Sequence, residues 1–347
     1  MNFVESMWYE PDGLCQKALS LGLMPFTVLF ALISASRRSL YKRGLLHSSA
    51  PAVPVVIIGG ITVGGSGKTP LCIALLQLLR KNGWHPGLLS RGYKGKSTSY
   101  PLVVGRDSDV ALCGDEPLLI KSGIAEDIPV VVDPRRERGA FFLARQGCDI
   151  ILCDDGMQHY ALKRDAEVAV LDGVRRIGNG RLLPSGPLRE SADRLKTTDL
   201  TVVNGGVCAN GEFSMCLKPS YPRPLDDHTK EELIPGSEIC ALAGIGNPSR
   251  FYATLTQNDF KGARFVIKDS LQAGDHMKLP FAQLQKAASK YPVIMTAKDA
   301  VKYRNCGIEN LYVLEVEAVL SLEFEESFLM LMHKALQRAQ ERMRPHE

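Results

Sequence analysis

No disulfide framework is visible in this chain of 347 residues. Its 9 cysteines are scattered without a C-x-x-C pair, Cys148 and Cys153 lying nearest each other. An odd number of thiols with no framework points to reduced, mostly buried cysteines and a cytosolic compartment. Charge of one sign is scarce as well. Lys+Arg 42 against Asp+Glu 38 leaves a net charge of +4, and with no long basic run this argues against a nucleic-acid partner. Internal repeats and low-complexity tracts are missing, so neither a solenoid nor a linker-like chain is indicated. A hydrophobic fraction of 45% and a charged fraction of 23% belong to an ordinary globular protein. At about 150 residues per unit, the length leaves room for two domains.

What is present is concentrated in Val55 to Gln77, VVIIGGITVGGSGKTPLCIALLQ. The β-branched run Val55–Ile58 predicts a buried parallel strand, and Leu71, Ala74, Leu75 and Leu78 predict one apolar face of a helix. Strand, glycine-rich turn, Lys-Thr and helix form the layout of a phosphate-binding P-loop. Glycines let backbone N–H groups close around phosphate oxygens, and the helix N-terminus adds a favourable dipole. The predicted nucleotide-binding segment is Thr62, Val63, Gly64, Gly65, Ser66, Gly67, Lys68 and Thr69. Lys68 would reach the β- and γ-phosphates of ATP, and the Thr69 hydroxyl would coordinate Mg²⁺. Thr62 departs from the usual glycine at that position, but Gly64, Gly65 and Gly67 retain the backbone freedom.

The second distinctive region is the uncharged stretch from Ala18 to Ser36, followed by Arg37, Arg38, Lys42 and Arg43. About 20 apolar residues can span a bilayer, although Pro25 and several serines make this stretch marginal. The residues before it are net acidic (Glu5, Glu10 and Asp12 against Lys17), which is wrong for a signal peptide. A membrane anchor or interfacial helix is expected, its basic cluster on the cytoplasmic side. The competing reading is an amphipathic helix packed on the core.

Further along, Ser90-Arg91-Gly92-Tyr93-Lys94 follows a strand end, where α/β sheets bind ligands. Asp115 and Glu116 start a helix and read equally as dipole-complementing caps or as catalytic acids. Arg135, Arg136 and Arg138 read as solvated side chains, and His159 as a loop histidine. Asp149–Asp155, DIILCDD, is an apolar strand ending in two carboxylates; paired with Lys68-Thr69 it predicts Mg²⁺ binding by Asp154 or Asp155. A long Gly-, Pro- and Arg-rich loop, Gly173 to Lys196, ends with Arg189 and Glu190 facing the active site, Glu190 counted among the metal ligands. Leu200–Val203 reads as the closing strand of the first domain. A second α/β unit follows, in which Asp275-His276 alone reads as a surface turn and the last helix, Glu323–Met343, as its cap. The expected division is 1–50 as a membrane-associated segment, 51–218 as a P-loop domain and 219–347 as a smaller α/β domain.

Taken together, Thr62–Pro70, Ser90-Arg91-Gly92-Tyr93, Gly114-Asp115-Glu116-Pro117, Asp154-Asp155-Gly156-Met157-Gln158-His159, Leu183–Glu190, Ala243–Pro248 and Lys298-Asp299-Ala300-Val301-Lys302 resemble the tetraacyldisaccharide 4′-kinase family. The resemblance implies an α/β fold: a P-loop NTPase-type αβα domain, a second smaller α/β domain and an N-terminal hydrophobic membrane-associating helix. It implies ATP- and Mg²⁺-dependent phosphorylation of the 4′-hydroxyl of an acylated glucosamine disaccharide 1-phosphate, giving lipid IV-A, at the cytoplasmic face of the inner membrane. It also makes Thr62 usual. Asp115 becomes the expected base, His276 its partner in the second domain and Asp275 a support, with Arg91, Tyr93 and Arg189 gripping substrate phosphate. No obligatory protein partner is implied. Two rivals remain on the residues alone. One is a membrane-attached P-loop ATPase or GTPase switch, although Thr296-Ala297-Lys298-Asp299 fails the guanine-reading N/T-K-x-D spacing. The other is a tethered protein that keeps a nucleotide site for structure.

Overall fold

The computed structural model describes residues 3–10, 13–274 and 277–343. The predicted strand at Val55–Gly59 (β1) forms with every residue buried. Its alternate side chains serve two cores. Val55 and Ile57 pack with Ala140 and Leu143 of helix Arg136–Arg145 on one face. Val56 and Ile58 pack on the other with Leu71, Leu75 and Leu79 of helix Lys68–Lys81. Burial on both faces is why β1 is continuously apolar instead of alternating. Leu75 is fully buried, so truncation to Ala would cost about 2–5 kcal/mol.

Strands β2 (Pro86–Ser90), β3 (Leu102–Val103), β4 (Val130–Val132), β5 (Ile150–Asp154), β6 (Ala166–Asp172), β7 (Leu200–Asn204) and β8 (Phe213–Pro219) extend this sheet. The order is β8-β7-β6-β1-β5-β2-β4-β3, parallel except for β3 at its edge. The chain then builds a smaller sheet from β9 (Arg223–Pro224), β10 (Glu238–Ala243), β11 (Val266–Gln272), β12 (Val293–Thr296) and β13 (Leu311–Leu314), in the order β11-β10-β12-β13-β9. It returns as β14 (Val316–Leu320), antiparallel to β8 at the far edge of the large sheet.

Two expectations change here. Leu200–Val203 does not close the large sheet, since β8 and β14 add to it. The last helix, Leu322–Met343, does not cap the smaller unit. Its Phe324, Phe328, Leu331, Met332 and Ala335 join the large-sheet core beside Val56 and Ile58, and Arg342 pairs with Asp165 and donates to the Pro51 carbonyl.

At the other end of the chain, helices Phe3–Tyr9, Leu14–Gly22 and Met24–Lys42 lie against the 173–190 loop. Trp8 Nε1 donates to the Pro184 carbonyl at 3.0 Å, Thr27 Oγ1 to Ser185 Oγ at 2.7 Å, and Ser185 Oγ to the Ser20 carbonyl at 2.9 Å. No single described helix is long and apolar enough to cross a membrane; Leu14–Gly22 and Met24–Lys42 pass that test only as a pair bent by 49°.

Candidate active site

The strand order reverses around β1, and its carboxyl end opens into a cleft of about 1030 Å³ between the two sheets. Val63 to Pro70 line its floor. Gly67 sits at φ +95° as the residue before the helix, and a Cβ there would lie 2.5 Å from Asn204 Nδ2, so only glycine fits. Thr62 is not on the cleft wall. It is buried in an antiparallel bridge with Leu188, while Val63 N–H donates to the Pro187 carbonyl at 2.9 Å. That extended pairing explains why a non-glycine residue stands there.

The two carboxylates ending β5 diverge chemically. Burial, with the negative charges of Glu116 and Asp155 nearby, pushes Asp154 up to about 7. Burial also opposes ionisation of Asp155, but Lys68 and Arg189 overcome it and bring that group down to about 2. Lys68 Nζ lies 3.6 Å from Asp155 Oδ1, and Arg189 Nη1 lies 2.8 Å from Oδ2. Asp155 itself sits at φ +45°, a conformation a non-glycine residue adopts at a cost of about 1–3 kcal/mol.

Asp155 Oδ1 and Ser66 Oγ are buried, and neither has a hydrogen-bond partner among the described residues. Thr69 and Asp154 line the same cleft and supply further oxygen donors. Among the described residues no group of three or more His, Cys, Asp or Glu could hold a metal. Mg²⁺ suits such a site, since it is commonly held by one or two carboxylates together with substrate phosphates.

The Glu190 carboxylate, also expected as a metal ligand, accepts from Gln158 Nε2 at 2.8 Å and Tyr160 OH at 2.6 Å, and Arg194 Nε lies 3.3 Å away. Arg136, expected in solvent, is buried and donates to the Asp155 carbonyl at 2.9 Å. Arg138 instead forks onto buried Asp133 at 2.7 and 2.8 Å. His159 lines the cleft with its ring 3.2 Å from Glu137.

Arg91 and Tyr93 stand exposed on the rim, as a substrate-gripping role requires. Asp115 begins its helix, is buried, and accepts from the Glu116 N–H at 3.0 Å; the acid on the cleft wall is Glu116. Across the cleft, Lys298 of the smaller unit pairs with Glu116 at 3.3 Å. Asp275 and His276 lie outside the described residues.

The family model for tetraacyldisaccharide-1-P 4′-kinase matches residues 19–334. The chain belongs to the tetraacyldisaccharide 4′-kinase family. Relatives bearing that name include one from Shewanella sp. (strain ANA-3), 43% identical over 94% of each chain. Another, from Pseudoalteromonas atlantica, is 46% identical over 88% of this chain and 98% of its own. Among solved structures, LpxK from Aquifex aeolicus in complex with ATP superposes with a TM-score of 0.70 at 25% identity, covering 90% of this chain and 99% of that one. Membership makes this chain a kinase with the P-loop kinase fold, and the GTPase-switch and binding-protein rivals are not favoured.

Proposed function

We propose that the cleft transfers the γ-phosphoryl group of ATP to the 4′-hydroxyl of an acylated glucosamine disaccharide 1-phosphate, the step of lipid A biosynthesis that yields lipid IV-A. The observation carrying this is the convergence, at the end of β1 and β5, of the glycine loop, Lys68 and the Asp154–Asp155 pair inside a cleft with a basic rim. Phosphoryl transfer is mainly positioning and charge stabilisation, and the loop amides with Lys68 supply both. Thr69, Asp154 and Asp155 would hold Mg²⁺, which when bound neutralises charge on the β- and γ-phosphate oxygens. Asp115 accepts the acceptor hydroxyl's proton, with His276 and Asp275 as the partners that the family resemblance assigns to it. Arg91, Tyr93 and Arg189 hold phosphate and sugar.

The acceptor's acyl chains remain in a bilayer, so the enzyme works at the cytoplasmic face of the inner membrane. Phe26, Leu29, Leu32 and Ile33 support this reading, since they are 62, 56, 60 and 58% exposed on helix Met24–Lys42. The same helix carries Arg37 to the cleft wall. An interfacial helix with an apolar face and basic flank binds anionic membranes in this way.

The deciding assay follows labelled γ-phosphate from ATP with and without tetraacyldisaccharide 1-phosphate. Label in the lipid is the expected result, and steady hydrolysis with no lipid product would overturn it. Leu29→Ser with Ile33→Ser should move the protein from membrane pellet to supernatant; unchanged pelleting would overturn the surface assignment.

A further inference from the structure

At the C-terminal end of β7, Asn204 is 1% exposed and wedged under the glycine loop. Its Nδ2 donates to the Ser66 carbonyl at 3.1 Å, and the Cβ that Gly67 lacks would meet the same nitrogen. The opposite end of the amide, Oδ1, accepts from Arg250 Nη2 at 3.1 Å. Arg250 belongs to helix Pro248–Gln257 of the smaller unit, capped by Asn247 Oδ1, which accepts the Arg250 N–H at 3.4 Å. Its other fork, Nη1, reaches Asp172 Oδ2 at 3.4 Å at the end of β6. Asp172 Oδ1 in turn accepts the N–H groups of Val174 and Arg175, both at 2.9 Å, at the start of the long loop.

We infer that Asn204 and Arg250 form a positioning relay by which the smaller unit sets the phosphate-binding conformation of the glycine loop. The chemistry favours a relay over independent contacts. A primary amide has one acceptor end and one donor end. Arg250, holding the oxygen, obliges the NH₂ group to face the loop, so the Ser66 carbonyl is turned away from the space where phosphate binds. Without that cation the amide can rotate and offer its oxygen to the Ser66 carbonyl, which repels it. Arginine is needed because its planar fork spans Asn204 and Asp172 at once, whereas a lysine ammonium on a flexible stem does not. Both residues are positioning residues; neither is assigned a contact with ATP. The inference rests on the nucleotide site of the proposed function but not on the acceptor.

The test is equilibrium binding of a fluorescent ATP analogue, with Mg²⁺ and without lipid, to the full-length wild type, Arg250→Gln, Arg250→Lys, Asn204→Asp and the double variant Arg250→Gln/Asn204→Asp. Loss of the charge-assisted hydrogen bond in Arg250→Gln, and of the neutral donor to the Ser66 carbonyl in Asn204→Asp, each predicts binding up to about tenfold weaker, with little rescue by Arg250→Lys. Asn204→Asp strengthens the contact to Arg250 but removes the donor to Ser66, so its weakened binding isolates that donor. Acting in series, the two changes together should weaken binding no more than the worse single change. Additive losses would mean that Arg250 acts on nucleotide by itself, and would overturn the relay. Normal binding by Asn204→Asp would overturn it too. Since Arg250 faces the cleft, Arg250→Gln should keep the wild-type thermal midpoint; a collapse of that midpoint alongside the loss would reduce the role to structure. A wild type that binds no nucleotide would instead reject the proposed function.

Discussion

The two walls of the cleft are built for different work. The large-sheet wall packs Lys68, Asp154, Asp155 and Arg189 into a set of close charges at the ends of β1 and β5. The wall from the smaller unit is apolar or neutral at Ile245, Asn247, Phe251 and Thr254, and among the described residues it sends Arg250 and Lys298 across the cleft. In the proposed reading, one wall stabilises charge on a transferring group and the other orients the first. The backbone explains the division. Parallel strands converge their carboxyl ends at β1, so charges placed there share one focus. The smaller unit meets that focus through the helices that follow its strands, Arg250 on Pro248–Gln257 and Lys298 on Ala297–Ala300.

This contrast is open to direct tests. Lys68→Ala should lower kcat by more than about 100-fold, since it removes a fixed charge from the transition state. Asp115→Ala should cost a similar factor, about 100-fold or more, if it is the base. Steady-state rates near wild type in either variant would break the assignment of chemistry to the large-sheet wall.

Lys298→Met and Glu116→Gln should each lower kcat/KM only about five- to tenfold. Their pair is partly solvent-exposed, and such pairs contribute little beyond about 1 kcal/mol. A Lys298→Met loss as large as that of Lys68→Ala would erase the distinction between the walls.

The smallest effect concerns stability. A carboxyl in the unfolded chain titrates near about 4, and burial raises that of Asp154 to about 7. Below about pH 4 both states hold the proton and the group is silent. As pH rises towards 7 the unfolded state ionises first, so the metal-free fold loses stability. Asp154→Asn, with chelator at pH 8, should therefore melt about 2–4 °C higher than wild type, a gain that vanishes near pH 4. An unchanged midpoint at pH 8 would show that the acid is not held against its charge.

Much of the site was legible locally because its parts are contiguous. Gly64 to Thr69 is one contiguous stretch, a loop running into helix Lys68–Lys81, and the strand before it declares itself by β-branched residues buried on both faces. Asp154 and Asp155 were legible as a strand end. Their different protonation was not, because it depends on Arg189 arriving from a loop and Glu116 from a helix. Arg136 was misread since its helix start looks like solvent until β5 is set beside it. The partners of Glu190 were not legible either, because Gln158 and Tyr160 reach it from a segment about 30 positions away. β14 gave little signal because Ala318 alone of its residues is buried, at a sheet edge far from its partner β8 in sequence.

By itself the sequence determined the αβα class, the phosphate loop, the carboxylate strand end and the family, all of which depend on short spacings and on which side chains leave water. Tertiary structure alone decided that the last helix covers the first sheet, that Glu116 meets Lys298, and that Asn204 lies between Ser66 and Arg250. Those pairings join residues whose partners lie tens to hundreds of positions away. No local propensity records them, because their free energy exists only once the two sheets have packed and excluded water between them.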